Sequence, residues 1–138
     1  MLGPFLLRAA AAQLLLQTSA HAADPAGFWQ SETGRSRYQV RHCGPGICVK
    51  IVWIVEGPEV RDVNNPDPAV RHRRVMGIDI ASNFAPDGPN RWKGSLYNFK
   101  NGKTYDGYAA LADRNRLEVA GCVLGGILCI RQNLSRRE

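Results

Sequence analysis

One run constrains this chain more than any other. Cys48 to Val55 reads C-V-K-I-V-W-I-V, β-branched or apolar on both faces with a single charge. Eight residues of this kind are too short for a bilayer-spanning helix and suit a strand with neighbours on both sides. The segments around it share the two-residue period. In Ser36 to Cys43, Tyr38, Val40 and His42 fall on one face, and Arg37, Gln39 and Arg41 on the other. In Arg116 to Val123, Leu117, Val119 and Val123 share a side. Gly27 to Glu32, Val75 to Ile80, Arg91 to Phe99, Thr104 to Leu111 and Gly126 to Asn133 bring the candidates to about eight.

Turn chemistry separates these runs. Thr33-Gly34, Gly44-Pro45-Gly46, Pro86-Asp87-Gly88-Pro89 and Asp113-Arg114-Asn115 all mark reversals. Asn101-Gly102 suits a type I′ hairpin, because both residues tolerate positive φ. A short helical turn is expected within Pro66 to Arg73, with Pro68 at a first helical position. Many short strands with tight turns predict an all-β fold, a small antiparallel barrel or sandwich. A barrel is favoured because closure removes exposed edges. At about eight strands its interior is either filled or holds one small ligand.

The first 22 residues stand apart from this pattern. Leu2 to Leu7 and Ala9 to Leu16 are mostly apolar, and Ala20-His21-Ala22 has small residues where a signal peptidase reads. The expected organisation is a cleaved signal peptide over 1–22 and a single domain over 23–138. Arg8, inside the apolar run, is the one irregular feature. The apolar stretch is too short and interrupted to span a bilayer, so no transmembrane span is expected in the mature chain. Localisation is therefore expected to be periplasmic or secreted.

All four cysteines, Cys43, Cys48, Cys122 and Cys129, lie after the leader. An even count in an exported small domain implies disulfides. Three pairings are possible; Cys43–Cys48 and Cys122–Cys129 are favoured because each closes a short loop. A zinc site would need its ligand pairs closer than the 73 residues between Cys48 and Cys122. No C-x-x-C spacing is present for redox work. No metal and no cofactor is expected.

Without Arg8, 17 Lys and Arg stand against 12 Asp and Glu, a net +5. Outside the cytoplasm such charge meets an anionic envelope surface rather than nucleic acid, or serves solubility alone. Arg71, His72, Arg73 and Arg74 are the densest cluster. Arg71 and Arg73 are candidates for holding a carboxylate or phosphate; the competing reading pairs the arginines with Asp62, Asp67 or Asp79. Trp53, Trp92, Tyr97 and Tyr105 are candidates for lining a pocket, against the alternative that they form a filled core. His42 and His72 belong to no recognised catalytic or metal motif, and no catalytic residue is assigned.

A resemblance adds to this. Gly27-Phe28-Trp29 opens the first strand and resembles the G-x-W of lipocalins. There an Arg from the last strand packs over the Trp; Arg136, or Arg131 as second choice, stands for it here. Gly27, Trp29 and Arg136 are thus the implied barrel closure. The longer pattern comprises D-P-A-G-F-W (Asp24 to Trp29), C-G-P-G-I-C-V-K-I-V-W (Cys43 to Trp53) and N-P-D-P-A-V-R-H-R (Asn65 to Arg73). W-K-G-S-L-Y-N (Trp92 to Asn98), N-G-K-T-Y (Asn101 to Tyr105) and G-C-V-L-G-G-I-L-C (Gly121 to Cys129) continue it. In this order it resembles the bacterial family called domain of unknown function 2147, over nearly the whole mature chain. The resemblance implies an exported protein with a lipocalin-like barrel and no assigned reaction. Two departures stand out. Leu134-Ser135-Arg136 replaces a W-T-R-like ending, and Phe99 stands where Pro commonly follows Y-N.

The function expected from these features is a non-catalytic binding module for a small, partly apolar, anionic or lipid-like molecule. The alternative is a cell-envelope interaction protein with a filled barrel, acting through its basic surface. An enzyme of unknown type comes third. Oligomeric state is not legible.

Overall fold

The structure is a computed structural model and describes residues 3–4, 10–12 and 23–137. Most of the expected leader over 1–22, with its cleavage site, lies outside the described residues. Eight strands close into one antiparallel barrel in chain order. They are β1 (Gly27–Ser31), β2 (Ser36–Cys43), β3 (Gly46–Ile54), β4 (Asp79–Pro86), β5 (Arg91–Asn98), β6 (Lys103–Asp113), β7 (Arg116–Val123) and β8 (Leu128–Arg137). β1 pairs with both β2 and β8, so no long edge is left.

Three local expectations are corrected. The fourth strand is not Val75 to Ile80 but Asp79–Pro86. Its S-N-F-A-P end has weak β propensity, and pairing on both sides overrides that. Asn101-Gly102 is not a two-residue type I′ turn: Phe99 to Gly102 form a four-residue connection in which only Gly102 has positive φ, 71°. The Asn98 and Asn101 side chains accept from the Lys100 and Lys103 amides, which fixes this longer turn. The last strand starts at Leu128 and runs to Arg137, because a 3-10 turn occupies Leu124–Gly126. A second 3-10 turn at Pro68–Val70 has Asp67 as its N-cap, accepting from the Ala69 amide.

One end of the barrel is sealed. Trp29 is fully buried among Val40, Ile47, Val49, Phe84, Leu117 and Leu134. Leu134 is itself part of this floor. Gly94 and Gly107 face each other across β5 and β6. A Cβ on Gly94 would lie 2.8 Å from the Phe84 ring, so the absence of side chains there lets Phe84 cross the floor.

Arg136 closes the layer from outside. Its guanidinium carbon sits 4.4 Å from the Trp29 ring centroid. Its Nη1, Nη2 and Nε donate to the carbonyls of Ala26 (2.8 Å), Asp24 (2.6 Å) and Arg114 (2.7 Å). A Cβ on Gly27 would stand 2.7 Å from Nη1, so the glycine of G-x-W clears the path for the arginine. Arg136→Ala is expected to cost about 2 kcal/mol, from the cation–π contact and the charged hydrogen bonds. Arg136→Lys should recover only part of it, since an ammonium has no flat face to stack. Urea unfolding followed by Trp fluorescence measures both; a wild-type midpoint for Arg136→Ala would remove the sealing role.

Candidate functional site

Above the floor the barrel is hollow. A cavity of about 600 Å³ opens at the end carrying the β1–β2, β5–β6 and β7–β8 turns. Its deep walls are Val49, Ile51, Ile54, Ile80, Leu96, Val119 and Leu134. Gly121 contributes no side chain to the wall, and a Cβ there would meet nothing closer than 3.6 Å. The walls follow from the two-residue period of strands: alternate positions on β7 and β8 line the cavity, Val119, Gly121 and Val123 with Leu128, Ile130, Gln132 and Leu134.

The polar groups inside are neutral. Ser36 donates to the Tyr38 hydroxyl at 2.9 Å, and the Ser36 amide donates to Ser31 Oγ at 3.1 Å. Burial pushes the Tyr38 hydroxyl up from its ordinary value, against a smaller lowering by the Ser36 bond, so it stays protonated at neutral pH. Tyr105 accepts from the Asn101 side chain at 2.7 Å. The lining cations Arg35 and Lys100 flank the strand ends at the mouth, and Arg131 is on β8. Arg35 pairs with Glu56 at 3.6 Å and Arg131 with Glu118 at 3.6 Å. Among the described residues Lys100 has no carboxylate partner. Glu56 lines the mouth beside Arg35, so the site has apolar depth, a line of hydroxyls and a rim on which Lys100 is the cation without a carboxylate partner among the described residues.

Of the six residues singled out for ligand binding, Tyr97 and Tyr105 border this cavity and four do not. Trp53 points away from it. The β2–β3 register shifts between Arg37 and Tyr38, so Trp53 pairs with Arg37 while Ile51 pairs with Tyr38. The extra residue, Val52, puts Ile54 on the inward face with Val49 and Ile51 and leaves Trp53 half-buried beneath Arg37, 5.1 Å away. Trp92 packs against the floor cluster instead. Arg71 donates from Nε to the Asn65 carbonyl at 2.7 Å, and Arg73 binds Asp62. Those two arginines brace the long β3–β4 loop, Val55 to Ile78, and do not converge on an open anion site. Arg74 approaches Glu59 at 3.7 Å.

Tyr97 borders the cavity, but its hydroxyl is committed to Asp62 at 2.5 Å. Sequence reading did not single out Tyr38, Leu96, Val119, Gln132 or Lys100 as site residues. The alternation that placed Tyr38 and Val40 on one face was the available signal for the walls; nothing marked Lys100.

Both disulfides are local. Cys43 is joined to Cys48 across the β2–β3 turn, and Cys122 to Cys129 as directly opposed residues of β7 and β8. The second lies just below the mouth.

A closed eight-stranded barrel, sealed by G-x-W and the arginine of its last strand and open onto an apolar cavity, is a lipocalin-like fold. The chain belongs to the family described as uncharacterized protein conserved in bacteria (DUF2147), whose family model matches residues 27–136. Its fold is similar to that of protein HP1028 from the human pathogen Helicobacter pylori, which is described as belonging to the lipocalin family. The TM-score is 0.75 and the identity 23% over 84% of each chain. No curated protein sequence matches this chain.

Proposed function

We propose that this protein binds one small amphiphilic molecule, with an apolar chain in the barrel and an anionic head at the rim. The observation that carries the reading is the cavity of about 600 Å³, within the range of small-molecule sites, roughly 300–1,000 Å³. Neutral, apolar depth disfavours a charged group inside, while Lys100 favours one at the mouth. The hollow interior speaks against the filled-barrel alternative. We read the protein as acting in the periplasm or outside the cell after loss of residues 1–22. Two disulfides support that compartment.

Displacement of a fluorescent fatty acid tests the binding. Val119→Trp puts a large ring into the cavity and is expected to weaken binding at least about tenfold, by overpacking a site of fixed volume. Lys100→Glu should weaken the fatty acid more than the matching alcohol. Equal affinity in wild type and Val119→Trp would remove the cavity as the binding site. Native mass spectrometry of protein from its own compartment would then identify the natural occupant.

A further inference from the structure

The β7–β8 hairpin ends in an exposed apolar tip, of which Leu124 and Ile127 belong to neither the core nor the cavity wall. Leu124 is 72% exposed, Ile127 87%, Leu128 59% and Ile130 82%. From Val119 to Ile130 there is no charged residue. Leu128 and Ile130 reach into the cavity mouth, but Leu124 and Ile127 do not line it. Exposed apolar side chains clustered this way on a small protein mark a contact surface.

The backbone adds a second observation. Leu124 has φ 55°, a left-handed conformation that a branched apolar residue rarely adopts. Asn or Gly would take it with less strain, and strain of this kind points to a requirement for the side chain itself. The Cys122–Cys129 bridge ties the two strands together at the base of the tip.

Charge decides between possible occupants. The adjacent mouth hairpin carries Lys100 and Lys103 and no carboxylate between Leu96 and its pair Tyr105, with Asp106 one pair further from the mouth. Across the mouth Arg35 is paired with Glu56, and Glu32 accepts from the Asn133 amide. Two copies meeting tip to tip would set these lysines against their own images. A protruding tip of four side chains also falls short of the roughly 800 Å² per partner of a stable protein interface. An anionic lipid surface satisfies both features, taking the apolar side chains into its interfacial layer and the lysines at its headgroups.

We propose that the β7–β8 tip docks this protein on anionic membrane surfaces, with the cavity mouth turned toward the lipid. This surface role does not require the cavity to be occupied, so the two readings can fail separately.

Flotation of the full mature chain with lipid vesicles tests it. Wild type is expected to float with vesicles rich in anionic lipid, less with zwitterionic vesicles, and less as salt rises. Leu124→Asn with Ile127→Ser should lower vesicle partition at least about tenfold, because interfacial binding scales with the apolar area inserted. The same double variant should bind the fluorescent fatty acid probe as wild type does, since neither residue lines the cavity. Lys103→Glu should reduce partition to anionic vesicles only. Wild type that stays unbound, or a double variant that floats like wild type, overturns the proposal. So does a dimer that the double variant dissociates without any vesicle binding, which would make a second copy the occupant.

Discussion

Asp62→Ala is expected to destabilise the protein by about 3 kcal/mol, since it breaks a buried charge network from one side. Asp62 is fully buried. Its Oδ2 accepts from Arg73 Nε at 3.0 Å and Asn65 Nδ2 at 2.9 Å, and its Oδ1 accepts from Tyr97 at 2.5 Å. Its own amide donates to the Arg73 carbonyl, and its carbonyl accepts from the Asn65 amide. Truncation leaves a hydroxyl, an amide and a guanidinium without their acceptor. Arg73 remains 40% exposed and can rehydrate, which holds the cost to the lower part of the range for such losses. Asp62→Asn keeps the shape and one acceptor, so its cost should be smaller.

The same network predicts a pH dependence. Burial, followed by the hydrogen bond and negative charge of Asp62, pushes the Tyr97 hydroxyl up to about 12. The folded state therefore holds a proton that the unfolded chain releases near the ordinary value of 10.0. The stabilisation is complete below pH 10, declines above it and is lost as pH rises through about 12. Urea midpoints measured across this window should fall for wild type more steeply than for Tyr97→Phe. Identical slopes would detach Tyr97 from the network, and an Asp62→Ala midpoint at the wild-type value would show that the loop is held by its apolar contacts alone.

Trp29→Ala is expected to cost about 4 kcal/mol, the scale of removing a large ring from a packed core. That is a large part of the total stability of a domain this size, roughly 5–15 kcal/mol. Three losses combine. The floor cluster loses its largest side chain, the Pro25 carbonyl loses the indole N–H at 2.9 Å, and Arg136 loses the ring it covers. Trp29→Phe retains a ring but not the N–H, and should fall between. The truncated floor also joins the cavity above it, so on the proposed reading Trp29→Ala should loosen binding of the fatty acid probe at low denaturant. Calorimetry or urea unfolding decides the first point and probe displacement the second. A folded, wild-type-like Trp29→Ala would mean that Phe84, Leu117 and Leu134 seal the barrel without it.

Several parts of the architecture were legible in the chain. Period-two alternation, turn residues and an even cysteine count depend on local chemistry, and they pointed to short antiparallel strands with two tight bridges. The G-x-W resemblance carried the floor, because its glycine and tryptophan act within one strand start. The fourth strand was not legible: Ser82 to Pro86 is a poor strand by propensity and forms one only because β3 and β5 flank it.

The candidate site was legible only in outline. Tyr97 and Tyr105 were placed near it by the hairpin they flank. Trp53 was not, because a bulge between Arg37 and Tyr38 changes which face of β3 looks inward, and no local signal marks that shift. The arginine cluster left two readings open, an anion site or pairing with Asp62, Asp67 or Asp79, and the folded loop chose between them by setting Asp62 beneath Arg73 and Tyr97, 11 and 35 residues away in sequence. By itself the sequence determined the β class, the turns and the even cysteine count that favoured two short bridges, since each arises from residues close together in the chain. Only the tertiary structure decided that the upper barrel is hollow, which side chains face the space and which cation stays free at its rim. Those properties depend on closure, register and long-range pairing, which bring distant residues together.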